Sequence, residues 1–198
     1  AKGYLYEPQA RKGYYPSSRW QQVLEQIQAA TPLPDSLHRL LLTLVERTGE
    51  TAVLAGVSGG QAGFLGVVES PPAVRYTAQI GKCVPLHATA TGRALMVQMP
   101  PSERSALLRK AHFERYTNTT LMSVQAVEDE IVRSQHRTWF EGAAEFSQDL
   151  GGIGLALPYP GRQLALLIAG PTSRMLGKEA QIAATMQAEI TTFRSGFS

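Results

Sequence analysis

Two stretches with helical spacing of apolar residues lie in the first quarter of the chain. Apolar side chains stand at positions 20, 23, 24 and 27, and again at 37, 40, 41, 44 and 45, so each set falls on one face of a helix. Ser18 is a favourable N-cap for the first helix, and Gly49 closes the second. The sequence Thr31-Pro32-Leu33-Pro34 between them has the composition of a linker. We therefore predict two amphipathic helices joined by a short connection.

After Gly49 the apolar pattern changes to that of strands. Residues 51–57 and 62–68 are rich in apolar side chains and flank the sequence Ser58-Gly59-Gly60-Gln61, which predicts a β-hairpin. A second pair of runs, 151–157 and 163–169, flanks the turn sequence at 158–162, and a single strand is predicted at 74–78.

Helical patterns occupy most of the remaining chain. Helices are predicted from about 91 to 99, after Ser102, after the N-cap Ser123, and near the end, where apolar residues at 182, 186, 190 and 193 share a face. This succession of helices, hairpin, strand, helices, hairpin and helix predicts an α+β fold with an antiparallel sheet.

Composition narrows the class of protein. The chain has 198 residues, 43% hydrophobic and 18% charged, which suits one globular domain with an appendage. No apolar run reaches the ~20 residues of a membrane-spanning helix. The single cysteine excludes a disulfide framework and a multi-cysteine metal site. We expect a cytoplasmic protein with no membrane association and no cofactor.

The net charge of +3 is concentrated near the N-terminus. Positions 1–20 hold four basic residues, one acidic residue and four of the seven tyrosines. Two short strands, 3–7 and 12–16, are predicted here around a turn at 8–11. Such a basic hairpin can bind the phosphate groups of a nucleic acid. The alternative is that the segment is only solvated and binds nothing. The basic residues predicted to contact DNA phosphates are Lys2, Arg11, Lys12 and Arg19.

Residues capable of catalysis form no recognisable catalytic motif. Cys83 and His87 are four apart, but Pro85 between them indicates an extended segment that does not place them on one helical face. The four histidines lack metal-ligand spacing, and the chain contains neither a phosphate-binding loop nor a nucleophile elbow. We predict that the protein is not an enzyme and that Cys83 is a packed or partly exposed thiol.

Five blocks, in order along the chain, resemble one family. Residues 48–55 read TGETAVLA, 68–71 read VESP, 81–94 read GKCVPLHATATGRA, 116–121 read YTNTTL and 169–174 read AGPTSR. They are similar to blocks of the effector-binding domain of IclR-type bacterial transcriptional regulators, and the resemblance extends over residues 37–194. It implies a curved antiparallel sheet of the GAF-like sensor type with flanking helices, in a protein that binds DNA through a winged helix-turn-helix.

The same resemblance divides the chain into three parts. Residues 1–17 correspond to the end of the winged helix-turn-helix (its wing hairpin), 18–34 to a linker helix, and 35–198 to an effector-binding and oligomerisation domain. In this interpretation the recognition helix is missing and the chain is a truncated regulator. We expect the whole protein to bind a DNA operator as a homodimer or tetramer, because a two-fold operator needs two wings.

A ligand site is predicted where residues 86–92 lead into a helix. The small side chains there let a ligand approach the N–H groups of the first turn, which favour an anion. One interpretation is a carboxylate held at the helix start formed by Thr89, Ala90, Thr91 and Gly92. The other is that Thr89 only caps the helix and the small residues only pack. The resemblance favours the first, because family members bind small organic acids at this helix start.

At other pocket positions of the family this chain lacks polar side chains. The positions concerned are Gly152 or Gly154 in place of Cys or Ser, Gly142 or Ala144 in place of Asp, and Leu167 and Ala169 in place of two Ser. Without these hydrogen-bonding groups, a small polar acid such as pyruvate would be poorly held. With Tyr76, Val84 and Phe140 as expected wall residues, we predict an effector carboxylate with an apolar, aromatic body and a role in aromatic acid catabolism.

Two classes of function are thus left. The first, which we predict, is a ligand-responsive transcriptional regulator. The second is a small-molecule sensor or oligomerisation module that acts without DNA. The basic hairpin at 3–16 favours the first, since a free sensor has no use for a wing. A hydrolase based on Ser or Cys is the weakest alternative.

Overall fold

The computed structural model describes residues 3–8, 13–23 and 33–196, which belong to two compact units, 1–34 and 35–198. In the first unit, β1 (Leu5–Tyr6) pairs antiparallel with β2 (Tyr15–Pro16), and residues 19–23 are helical. The two predicted strands are therefore present, although each is short. Residues 9–12 of the predicted hairpin and residues 24–32 of the predicted linker region lie outside the described residues.

Aromatic contacts hold the first unit together. The rings of Tyr4 and Trp20 are 5.2 Å apart, and the Arg19 guanidinium lies 5.1 Å from the centre of the Tyr4 ring. The Ser17 amide donates to the Tyr4 carbonyl oxygen over 2.9 Å. These contacts fasten the helix start to the hairpin and give the two strands the support that an isolated hairpin lacks.

The second unit contains a six-stranded antiparallel sheet with strand order β5-β4-β3-β8-β7-β6. Its strands are β3 (Thr51–Ser58), β4 (Gln61–Val68), β5 (Cys83–Val84), β6 (Phe140–Ala143), β7 (Leu150–Tyr159) and β8 (Arg162–Pro171). Its helices are α1 (Asp35–Thr48), α2 (Ala90–Met96), α3 (Pro101–Lys110), α4 (Val124–Arg137), α5 (Thr172–Met175) and α6 (Glu179–Ser195). The α+β fold with a curved antiparallel sheet and flanking helices is thereby confirmed.

The two long hairpins form the centre of this sheet. β3 pairs with β4 and β7 with β8, and the hairpins are joined because β3 also pairs with β8, with Val53 opposite Leu167. Gly60 and Gly161 lie in the two hairpin turns with φ angles of 81° and 70°, which L side chains adopt rarely. Both hairpins agree with the prediction from the sequence.

Each face of the sheet buries its own set of apolar side chains. Val53, Phe64 and Leu167 belong to a core cluster that also contains residues of α2, α3 and α4. Since side chains alternate along a strand, Leu54 and Leu166 point to the other face, where they are buried on the side of α1 and α6. The candidate site described below lies on the face that carries Val53, Phe64 and Leu167.

The single strand predicted at 74–78 is wrong. The backbone there accepts hydrogen bonds from side chains, since Arg174 donates to the Val74 carbonyl and Thr51 to the Tyr76 carbonyl. The edge of β4 is instead occupied by β5, which pairs Val84 with Ala62. Strand β6 was not predicted, because four residues that include Gly142 are too short to show a period.

Candidate functional site

A partly open cavity with about 40 Å³ of interior space lies between the sheet and the start of α2. Its lining is largely apolar and contains no charged side chain. Three side chains in it carry a polar group, those of Tyr76, Thr89 and Thr91. The lining residues are Phe64, Tyr76, Val84, Ala88, Thr89, Ala90, Thr91, Gly142, Phe146, Leu150, Gly151, Gly152, Leu167 and Ala169. This combination of apolar walls and few polar groups is typical of a small-molecule site.

The space in the cavity comes from a row of small residues across three strands. Gly142 on β6 is paired with Gly152 on β7, which is paired in turn with Ala169 on β8. A Cβ atom at Gly142 would lie 3.5 Å from both the Cβ atom and the amide nitrogen of Ala90, which is an ordinary contact distance. The volume is therefore left open by missing side chains and not by a gap in the backbone.

The start of α2 supplies the polar groups of the cavity. Thr89 is the N-cap: its hydroxyl accepts from the Gly92 amide over 3.1 Å and donates to the Pro85 carbonyl over 2.7 Å. The first-turn amides of Ala90 and Thr91 have no partner within the helix, and no hydrogen bond from either is found among the described residues. Capping by Thr89 thus leaves two N–H groups of the first turn available.

The Thr91 hydroxyl is a third unpaired donor at the same place. The Thr91 side chain is 1% exposed, lines the cavity, and its hydroxyl has no hydrogen-bond partner. Within the described part of the chain, the hydroxyl of Ser70 and the Nε atom of Arg93 share this state, but neither residue lines the cavity. A buried hydroxyl without a partner costs about 1–3 kcal/mol, which a bound polar atom can recover.

Eight of the eleven predicted effector-binding residues line this cavity, and three do not. A Cβ atom at Gly92 would lie 2.3 Å from the Leu86 carbonyl oxygen, and one at Gly154 would lie 2.7 Å from the Ala90 carbonyl oxygen. Both glycines therefore permit close packing of α2. Phe140 is paired with Gly154 and belongs to the core cluster. The eight lining residues are Tyr76, Val84, Thr89, Ala90, Thr91, Gly152, Leu167 and Ala169.

The sequence did not indicate five other lining residues. Phe64 and Leu150 stand on strands, whereas Phe146 comes from the connection between β6 and β7. The ring of Phe146 also lies 4.9 Å from that of Tyr116. Ala88 and Gly151 complete the set, and Gly142 was named only as one of two alternatives. Ala144, the other alternative, is not in the lining.

A buried arginine supports the wall from behind. Arg93 on α2 is fully buried and donates to the His87 carbonyl over 3.1 Å, to the Glu141 carbonyl over 2.5 Å and to the Glu145 carboxylate over 2.6 Å. Burial raises the pKa of Glu145, and the adjacent Arg93 charge opposes this rise. Arg93 therefore fixes the segment that carries Gly142 and Phe146.

His87 and Cys83 have separate environments. His87 is buried, and its Nε2 atom lies 3.1 Å from the Glu114 carbonyl, so Nε2 carries the proton in this contact. Burial lowers the pKa of His87; the Glu114 hydrogen bond opposes this shift and the Arg93 charge adds to it. The exposed Cys83 has its thiol 3.8 Å from the Gly81 carbonyl. Nothing in these contacts couples the two side chains.

Other predicted sites can be located only in part. Of the four basic residues predicted to contact DNA, only Arg19 is described; Lys2, Arg11 and Lys12 lie outside the described residues. Across the described ranges, no group of three or more His, Cys, Asp or Glu side chains could hold a metal ion. In the same ranges, no helix has the length and apolarity needed to cross a membrane.

Comparison with known proteins shows what the chain is related to. The family model described as bacterial transcriptional regulator IclR C-terminal matches residues 25–191. The acetate operon repressor of Salmonella typhimurium is 29% identical over 143 residues, covering 70% of this chain and 52% of the repressor. The HTH-type transcriptional regulator BhcR of Paracoccus denitrificans is 30% identical over 157 residues, covering 78% of this chain and 56% of that protein. The chain spans about half the length of these curated relatives.

Solved structures share the fold. The crystal structure of Thermotoga maritima IclR has a TM-score of 0.79 at 18% identity and covers 98% of this chain and 80% of that one. A putative IclR regulator from Silicibacter has a TM-score of 0.78 at 23% identity and covers 98% and 77%. The curated relatives are described as a repressor and a transcriptional regulator. The match over residues 25–191 places the chain in the IclR family of bacterial transcriptional regulators.

Proposed function

We propose that this chain is the sensing part of a ligand-responsive transcriptional regulator. In this proposal the cavity at the start of α2 binds a small effector and thereby controls DNA binding by a winged helix-turn-helix. The observation that carries the proposal is the unpaired, buried Thr91 hydroxyl on the wall of a mostly apolar cavity. A buried polar group of this kind needs a partner, and a ligand can supply one.

The chemistry of the cavity favours a carboxylate at its polar end. The Thr91 hydroxyl and the amides of Ala90 and Thr91 are all donors, so the matching ligand group is an acceptor with more than one oxygen. Hydrogen bonds to a charged acceptor are stronger than those to a neutral one. The lining offers no charged side chain to compete with these donors.

The remaining walls favour an apolar, aromatic body. Phe64, Val84, Phe146 and Leu167 present hydrocarbon surface, and the row of small residues leaves room between them. Burying ~150 Å² of ring surface at ~25 cal/mol/Å² contributes roughly 4 kcal/mol. Part of this gain offsets the entropy lost on binding, so we expect micromolar affinity.

Calorimetry with benzoate, benzamide and pyruvate tests the effector class. We expect benzoate to bind more tightly than its uncharged amide and more tightly than pyruvate. Thr91→Val should weaken benzoate binding about tenfold by removing a donor, yet leave the free energy of unfolding unchanged or slightly higher, because the hydroxyl has no partner in the free protein. Thr185→Val on α6 is the matched control, because this hydroxyl donates to the Gln181 carbonyl and does not line the cavity.

Two results would contradict this assignment. Equal affinity for benzoate and benzamide would show that the cavity has no anion site. Tighter binding of pyruvate would show that the effector does not need an aromatic body. If the Thr91→Val variant binds benzoate as tightly as the wild type does, the Thr91 hydroxyl does not bind the ligand.

We further propose that DNA binding is a property of the whole regulator, acting as a homodimer or tetramer. The four basic residues Lys2, Arg11, Lys12 and Arg19 can make at most about four phosphate contacts. DNA affinity of residues 1–198 should therefore follow salt with a logarithmic slope near −3.6 and should not distinguish operators. The full-length regulator, by contrast, should bind its operator more tightly than a scrambled duplex. Fluorescence anisotropy with operator and scrambled duplexes, with light scattering on the same samples, measures both properties. Operator-specific binding by residues 1–198 alone, or a monomeric full-length protein at micromolar concentration, would contradict the proposal.

A further inference from the structure

The segment between β4 and β5 forms one wall of the cavity without regular secondary structure. Residues 71–75 of this segment are exposed, and Tyr76, which follows them, lines the cavity. Burial raises the pKa of the Tyr76 phenol, in keeping with its place in the wall. Since no strand ladder holds this backbone, other groups must keep Tyr76 in position.

Side-chain hydrogen bonds from Thr51 and Arg174 hold the segment in place. The Thr51 hydroxyl donates to the Tyr76 carbonyl over 2.7 Å, and Arg174 Nη1 donates to the Val74 carbonyl over 2.8 Å. Thr51 is fully buried on β3 and is paired with Ala169, a residue of the cavity lining. Arg174 lies on α5, directly after β8.

Arg174 is itself held by a buried carboxylate. Its Nε and Nη2 atoms donate to the two oxygens of Glu50 over 2.5 and 2.7 Å. Glu50 is 4% exposed, and its carboxylate packs on Gly170, where a Cβ atom would lie 2.2 Å from Oε2. A bidentate pair fixes the guanidinium plane, and the third nitrogen is then aimed at Val74.

We infer that Arg174 is a positioning residue for the effector site: it holds the Val74 carbonyl and thereby keeps Tyr76 on the cavity. The inference rests on the proposed function in taking the cavity as the effector site. Arg174 does not line the cavity, so it acts on the ligand through Tyr76. Loosening this bond should let the wall open more often and release the ligand faster.

Two substitutions separate positioning from general stability. Arg174→Lys keeps a positive charge beside Glu50 but loses the fork that also reaches Val74. Glu50→Gln leaves one acceptor oxygen for the guanidinium, so it loosens the aim of Arg174 but keeps the nitrogen that donates to the Val74 carbonyl. If Arg174 only stabilises the fold, both variants should affect ligand binding in proportion to their loss of stability.

Hydrogen exchange and calorimetry together test the inference. In the ligand-free protein, we expect Arg174→Lys to speed amide exchange over residues 73–78 about tenfold, and Glu50→Gln to change it much less. Benzoate affinity should fall about tenfold in Arg174→Lys and less than threefold in Glu50→Gln. Unchanged exchange in Arg174→Lys, or unchanged benzoate affinity despite faster exchange, would each overturn the inference. If the wild type binds no benzoate, the proposed effector class fails, whereas the exchange comparison still decides whether Arg174 holds the segment.

Discussion

Replacing Gly92 with alanine is expected to lower the free energy of unfolding by about 3 kcal/mol or more. The added Cβ atom would lie 2.3, 2.4 and 2.6 Å from the carbonyl oxygen, Cα and carbonyl carbon of Leu86. All three are backbone atoms, so no side-chain rotation can relieve the overlap. The Thr89 hydroxyl accepts from the Gly92 amide and donates to the Pro85 carbonyl, which ties the start of α2 to the segment that carries Leu86.

Gly142→Ala is the matched control for this expectation. Its Cβ atom would meet Ala90 at 3.5 Å, so the free energy of unfolding should change by less than about 1 kcal/mol. The two variants have the same chemistry but differ in contact distance, and urea unfolding compares them directly. Equal unfolding midpoints would show that α2 can move away from Leu86. Gly142→Ala should in addition reduce benzoate affinity, because the new methyl group occupies the cavity.

The elements that the sequence predicted well are those whose signals are local. Ser123 was expected as a helix cap, and Thr89 was a cap in one of the two interpretations of its segment. Each accepts a hydrogen bond from an amide three residues later. The hairpin around Gly161 was marked by its turn residues. By contrast, the strand expected at 74–78 fails, because Arg174, 100 residues away from Val74, binds the backbone there. A contact between residues so far apart in the sequence cannot be predicted from the local pattern of apolar and polar residues.

In the candidate site, too, local sequence does not show which of two similar residues lines the cavity. Gly152 and Gly154 are two apart on β7, so they face the same side of the sheet, and the sequence treats them alike. In the structure, Gly154 lies against the Ala90 carbonyl beneath α2, whereas Gly152 lines the cavity. Phe146 reaches the same cavity from a connection whose path depends on contacts between Thr117, Thr120 and the Glu145 carbonyl. Which glycine makes room for a ligand is decided by where the helix axis crosses the strand.

Removing the buried charge of Arg93 is the second change from which a large effect is expected. Arg93→Met should lower the free energy of unfolding by about 3–5 kcal/mol, since it leaves a buried carboxylate without its partner. The Glu145 side chain is 11% exposed and lies 2.6 Å from Arg93, and two backbone carbonyls lose their donor as well. Arg133→Met is the matched control: this arginine pairs with Glu130 but is 62% exposed, so about 0–1 kcal/mol is expected.

The loss in Arg93→Met should also depend on pH, in a direction set by Glu145. Burial raises the pKa of Glu145 and Arg93 opposes that rise, so without Arg93 the pKa moves further up. A carboxyl whose pKa is raised in the folded state loses stability as pH rises from its unfolded pKa through the folded one. The destabilisation by Arg93→Met should therefore be smaller near pH 5 than near pH 8.

Adding Glu145→Gln should remove this pH dependence and recover part of the stability at pH 8, because the uncompensated charge is gone. Urea unfolding of both variants at the two pH values measures this, and a loss that is the same at pH 5 and pH 8 would show that the Glu145 charge is not what Arg93 neutralises.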